Sequence, residues 1–224
     1  RSIRGLAFDN NLIKDPFFKM IFNISNKKTF EETRDEFFEQ LKYENKLSLA
    51  DVVHCKRNKI LSQYPPWSCV LPWENISIKE KYKTYENLQK LTRLKKSKEY
   101  KFKSKILNKN FLYSIEMAES QVYQYISLYE NILKNGYKKS NDLPSFYILI
   151  RNNNWKWYMS EGNHRAYILY LLNQKFIYGT IVACLDRKDA NIWPNVINGL
   201  YSIEEACKIF DLIFEGKISI SPII

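Results

Sequence analysis

Two short runs, Phe146 to Ile150 and Trp155 to Met159, are built mainly from aromatic and branched aliphatic residues, and Asn152-Asn153-Asn154 lies between them. Such runs favour extended backbone, and an asparagine cluster between two of them closes a turn, so this stretch is constrained to be a β-hairpin. Directly after it comes Ser160-Glu161-Gly162-Asn163-His164-Arg165-Ala166-Tyr167, and then Ile168, Leu169, Leu171 and Leu172 at helical spacing as far as Asn173. A strand must therefore turn into a helix within a few residues, with Gly162 at the turn.

The neighbouring segments extend this pattern. Between Met117 and Asn135, Val122, Ile126, Tyr129 and Leu133 stand three or four apart, which predicts an amphipathic helix, and Gly136 sits where a left-handed cap belongs. Leu143-Pro144-Ser145 introduces the first strand, and Ile177 to Cys184 reads as a further strand. Ser202-Ile203-Glu204-Glu205 is a capping box opening a helix to Phe214, which Gly216 ends. The order helix, hairpin, helix, strand, helix predicts an α+β core over residues 110–224, a small mixed sheet with flanking helices.

Residues 1–109 read as a mainly helical region. Thr29-Phe30-Glu31-Glu32 is a capping box for a helix to about Glu44, with Phe30, Phe37, Phe38 and Leu41 along one side. Ser48-Leu49-Ala50-Asp51 opens a second helix through Val52 and Val53 toward Ile60, carrying His54. Pro65, Pro66 and Pro72 then force an extended segment between two turns. There Trp67, Trp73 and Glu74 suit either a pocket for a planar or sugar-like ligand or an anchor between the helices and the core.

The net charge of +11 is concentrated. Eight of the sixteen residues from Lys90 to Lys105 are basic, with Tyr100 and Phe102 interleaved. Such a run either contacts a phosphate-rich partner (nucleic acid, nucleotide or anionic membrane) or is a solvated linker between two regions. No apolar run approaches the roughly 18 residues that a membrane span needs. The start, Arg1-Ser2-Ile3-Arg4-Gly5, lacks the apolar stretch of a signal peptide. Cys55, Cys69, Cys184 and Cys207 stand too far apart for a zinc site, and the chain has only two histidines. These features predict a cytoplasmic protein with buried, reduced thiols and no transmembrane segment.

The polar chemistry is densest at the turn. The first N–H groups of a helix lack intrahelical partners, and with the helix dipole they form an anion site at the start of the His164 helix. Gly162 permits the turn and a close backbone approach, Arg165 offers a bidentate clamp for phosphate, and Asn163 and His164 add neutral donors. Glu161 has the opposite sign, which suits holding Mg²⁺ or accepting a proton.

Glu161-Gly162-Asn163-His164-Arg165-Ala166 resembles the Asp-Gly-His-x-Arg-Ala turn of free serine kinases, and more distantly the Gly-Glu-Arg-Arg turn of ParB proteins. About a third of the chain, from Phe111 to Cys184, looks like the ParB/sulfiredoxin superfamily core: a helix ending at Gly136, a strand after Pro144, a hairpin, then the acidic-Gly turn. The resemblance implies a turn that binds nucleotide phosphates. Sulfiredoxins carry a catalytic cysteine in that turn and this chain has none. ParB proteins continue into a helix-turn-helix domain, whereas about 50 residues follow the turn and its helix here.

The kinase branch is the nearer one, and in it a Glu near the start of the preceding helix is the catalytic base; Glu119, then Glu116, match that place. Glu at 161 for Asp, and Asn163-His164 for His-x, depart from the branch. The resemblance implies a nucleotide-dependent phosphotransferase that uses ATP or ADP with Mg²⁺ to phosphorylate a hydroxyl; the aromatic residues, not the motif, point to a small molecule, sugar or glycan as acceptor. Gly162, Asn163, His164 and Arg165 would hold the nucleotide, Glu161 would assist the metal, and Glu119 or Glu116 would take the proton. The tryptophans Trp155, Trp157 and Trp193, with the segment Pro66 to Trp73, suit a sugar acceptor. The competing expectation is a ParB-like, nucleotide-sensing regulator that grips nucleic acid through Lys90–Lys105.

Overall fold

The computed structural model describes residues 15–44, 46–84, 87, 115–138 and 143–218. The Lys90–Lys105 run, the expected boundary between residues 109 and 110, and the side chain of Glu116 lie outside the described residues. In chain order the helices are α1 (Pro16–Ser25), α2 (Phe30–Glu44), α3 (Leu49–Val52), α4 (residues 78–84), α5 (Ile115–Asn135), α6 (Asn163–Leu171), α7 (Pro194–Ile197) and α8 (Ile203–Phe214). The strands are β1 (Ser145–Arg151), β2 (Asn154–Glu161) and β3 (Thr180–Asp186).

The described chain divides into two compact units, each discontinuous in sequence. Residues up to Leu41, those from 115 to Asp189 and those from Cys207 onward form the first; those from Lys42 to 87 and from Ala190 to Ala206 form the second. Helix α1 and nearly all of α2 thus share a unit with the sheet. Their apolar faces explain it: Phe17 meets Phe37 of α2 at 5.1 Å and Tyr125 of α5 at 6.1 Å between ring centroids. Burying one such ring contributes about 1.5–3 kcal/mol.

In the first unit the sheet has the order β2-β1-β3, with β1 antiparallel to β2 and parallel to β3. Asn152 and Asn153 both have positive φ, 49° and 64°, so the hairpin closes on the two-residue turn whose twist suits paired strands. Phe146/Met159, Ile148/Trp157 and Ile150/Trp155 pair on one face; Tyr147/Tyr158, Leu149/Lys156 and Arg151/Asn154 pair on the other. The second face looks toward α8, where Arg151 and Lys156 lie 4.5 and 5.2 Å from the Phe214 ring. Arg187, just past β3, donates to both oxygens of Asp211 at 2.8 and 2.9 Å, and Arg151 donates to the same carboxylate at 3.1 Å and to Glu215 at 2.8 Å.

Local signals set most helix ends. Thr29 and Glu32 bond reciprocally ahead of α2, as Ser202 and Glu205 do ahead of α8. Gly136 follows α5 with φ +69°. The buried face of α5 is Ala118, Val122, Tyr125 and Ile132, rotated from the expected one; Leu133 is 62% exposed. Two overlapping stripes satisfy the helical spacing there, and packing against α1 and α6 selects one of them. Helix α6 stops at Leu171, before Asn173, and β3 begins at Thr180, after the expected Ile177.

In the second unit the Ser48/Asp51 capping box opens only a short helix, and His54 is exposed beyond its end with φ 56°, not inside a helix. Trp67, Trp73 and Trp193 are buried; Trp67 stacks on Tyr82 at 4.9 Å and Trp73 meets Trp193 edge-on at 5.3 Å. The buried Asn195 amide donates to the carbonyls of Leu71, Glu74 and Ile76 at 2.9, 2.8 and 3.3 Å, and Tyr201 donates to Val70 at 2.7 Å. These bonds satisfy a proline-rich segment whose regular structure is a single 3-10 turn, Pro66–Ser68. The three tryptophans thus pack inside the second unit. Burial raises the Glu74 carboxyl, which accepts the Leu71 N–H at 2.8 Å.

Candidate functional site

Strand β2 ends at Glu161, Gly162 takes φ 87° and ψ 18°, and α6 starts at Asn163 with no side chain capping its N-terminus. Glycine is required there twice over. Its left-handed backbone costs other residues about 1–2 kcal/mol, and a Cβ would stand 2.8 Å from Pro144 Cβ and 2.9 Å from Pro144 Cγ. Pro144 in turn accepts the Thr180 N–H at 2.9 Å. A Cβ on Gly179 would run into the Phe146 ring and the Pro144 carbonyl. The start of β1, the end of β2 and the start of β3 therefore meet around one proline, and α6 opens from that junction.

Ser160 is left out of the strand register, because Ser145 pairs with Glu161 and Phe146 with Met159. This bulge swings Glu161 outward. Its exposed carboxylate accepts the Ser145 hydroxyl at 3.2 Å. Asn163 and Arg165, in the first turn of α6, are half-buried. Arg165 acts electrostatically on two neighbours, Tyr137 and His164. Tyr137 donates to the Tyr178 carbonyl at 3.4 Å, and the two rings stack at 5.9 Å. Burial raises the Tyr137 phenol while Arg165 pulls it back.

His164 points elsewhere. Its ring lies 4.8 Å from Phe17 of α1 and 4.6 Å from Tyr125 of α5, edge-on to the latter. Loss of water, and secondarily the Arg165 charge, pushes it down to about 4, so it is a neutral imidazole at pH 7. A neutral ring in an aromatic clamp fixes α6 against α1 and α5 and offers a phosphate no positive charge. The groups at the turn that could meet an anion are Arg165, the helix N-terminus and Asn163.

Glu119 lies on α5, where its Oε1 accepts Arg34 Nη1 at 3.0 Å. Tyr125, six residues further on, meets His164 of the turn. Glu116 stands in the first turn of α5, and its side chain is outside the described residues. Trp155, 59% exposed, and Trp157 stand toward the far end of β2. At about 3.3 Å per residue Trp155 is roughly 20 Å from Glu161, so the junction itself is flanked by Tyr137 and Tyr178, not by these tryptophans.

Sequence patterns did not single out Phe17, Tyr125, Tyr137, Tyr178 or the fit of Pro144 under Gly162. The only signal was compositional: a glycine and a proline at two strand entries. Cys55 and Cys69 are buried, whereas Cys184 on β3 is exposed. Among the described residues no three His, Cys, Asp or Glu side chains gather to hold a metal, and no helix is long and apolar enough to cross a membrane.

Against known proteins, the chain matches no family model, no curated protein and no solved structure. What the described residues define is an α+β unit with an open three-stranded sheet and flanking helices.

Proposed function

We propose that the Glu161–Arg165 turn binds the phosphates of a nucleotide, ATP or ADP, and that the protein transfers a phosphoryl group to a hydroxyl of a small molecule or sugar in the cytoplasm. The observation that carries this reading is the uncapped start of α6 directly behind a left-handed Gly162, with Arg165 in the first turn. Backbone donors, helix dipole and guanidinium all favour an anion there. The resemblance of the turn to the free serine kinase motif adds the nucleotide.

Within this reading Gly162 lets the phosphates approach the backbone, and Arg165 with Asn163 holds their oxygens. Neutral His164 orients the turn. Mg²⁺ is held largely by phosphates and a carboxylate or two in such sites; Glu161 and the Ser145 hydroxyl provide hard oxygen donors of that kind, 3.2 Å apart. The ion would neutralise charge developing on the transferred group. Glu119 is the candidate to take the acceptor proton, exchanging its Arg34 partner for the hydroxyl. Catalysis of this type consists mainly of positioning and charge stabilisation.

A thermal-shift panel with ATP, ADP, GTP and CTP, each with and without Mg²⁺, tests the binding step. A ligand that prefers the native state raises the melting temperature, by about 2.7 kcal/mol of added stability at a hundred times its Kd. No shift at millimolar concentrations across the panel would falsify the nucleotide reading. A salt-dependent shift with nucleic acid alone would favour the regulator that works through Lys90–Lys105.

A further inference from the structure

We infer that Asp15 is a positioning residue for the turn: by accepting the Tyr167 hydroxyl it locks α1 onto α6, which sets Phe17 against His164 and holds the imidazole in one orientation, largely shielded from water.

The two oxygens of this buried carboxyl group have different tasks. Oδ1 accepts the N–H groups of Phe17 and Phe18 at 2.9 and 3.0 Å and so starts α1; Oδ2 accepts the Tyr167 hydroxyl at 2.9 Å. Tyr167 follows His164 by three residues and therefore shares its side of α6, and Phe17 follows Asp15 by two. The bond from Asp15 to Tyr167 and the ring contact of Phe17 with His164 are thus two rungs between the same two helices. Phe18 adds an edge contact to Tyr167 at 5.5 Å.

Apolar rungs alone would let α1 slide or roll, because dispersion has little directional preference. A buried O–H to carboxyl bond has one geometry, and breaking it leaves an acceptor without water, so it sets the register of the whole contact. Among the described residues, Arg165 on α6 acts on the His164 ring by its charge and Tyr125 on α5 meets it edge-on, while Asp15, the cap of α1, reaches α6 through Tyr167. The α1 contact is set by a carboxylate 152 positions from Tyr167, so the segment beginning at Asp15 belongs to the site's architecture. The inference rests on the phosphate-turn reading for its consequence in ligand binding, not for the geometry itself.

The chain has two histidines, and His54 is exposed in the other unit, so NMR titration of the imidazole signals reads His164 with an internal reference. In Tyr167→Phe, the His164 midpoint is expected to climb by about one pH unit or more toward the ordinary value near 6.5. If ADP with Mg²⁺ binds the native protein, its affinity falls about tenfold in the same variant. The double variant Asp15→Asn/Tyr167→Phe keeps an α1 cap and leaves no carboxylate unpaired. It recovers stability yet retains the raised midpoint, and it carries the test should Tyr167→Phe alone not fold. A folded variant whose His164 titrates as in the native protein overturns the inference, and so does a double variant that restores the native midpoint. A raised midpoint with no ADP binding by the native protein upholds the positioning role and removes the nucleotide reading.

Discussion

Arg34 Nη1 lies 3.0 Å from Glu119 Oε1 and ties α2 to the first turns of α5, while Arg34 Nε holds Asp35 at 2.7 Å. The carboxylate matched to the catalytic base is therefore met by a cation 85 residues away in sequence. Glu119→Gln keeps the shape and removes the base, so phosphoryl transfer should be lost while stability changes little, because water screens a half-exposed ion pair. Turnover assays beside urea denaturation separate the two effects; retained turnover would take Glu119 out of the chemistry.

Gly162→Ala should be among the most damaging single methyl additions in the chain. Left-handed backbone and collision with Pro144 together should cost about 2–4 kcal/mol. Equilibrium urea unfolding reads this directly. In a double-mutant cycle with Pro144→Gly part of the loss should return, because the colliding ring atoms are gone; strict additivity would show that the collision does not matter.

His164 sets a stability window in pH. Its folded value, about 4, lies below the unfolded value near 6.5, so the unfolded chain takes up the proton first. Stability is complete above about pH 6.5 and is lost as pH falls toward 4. The loss should be on the order of 2 kcal/mol once the ring's partial exposure is allowed for. In His164→Gln the stability curve should be flatter between those limits; an equal loss in that variant would assign the acid sensitivity to other groups.

At the opposite end of the sheet, Asp211 receives two bonds from Arg187 and one from Arg151, whereas Glu215 pairs with Arg151 and with exposed Lys217. Asp211→Ala should cost about 1.5–3 kcal/mol, the range for hydrogen bonds to charged groups. Glu215→Ala should cost less, and melting curves of the two variants rank them. The reverse order would mean that Asp211 does not staple α8 to the strands.

The local features of this protein were legible residue by residue. The Asn152-Asn153 turn, the capping boxes at Thr29, Ser48 and Ser202, the glycines after α5 and α8, and the strand-turn-helix at Gly162 depend on neighbours within a few positions, and turn or cap chemistry alone determines them. Length was less legible: Ser48 starts a helix, but nothing local says that it ends before His54. Which side of α5 is buried required the faces of α1 and α6, since Ile132 and Leu133 satisfy the apolar spacing equally well.

The turn shows the same division. Gly162, Arg165 and the helix start follow from sequence, because a strand and a helix joined over so short a span need a left-handed residue. That His164 is clamped by Phe17 and Tyr125, that Asp15 bonds Tyr167 across 152 positions, and that Pro144 lies under Gly162 were decided only by tertiary packing. Periodicity reports which residues avoid water, and it carries no information about which distant partner excludes that water.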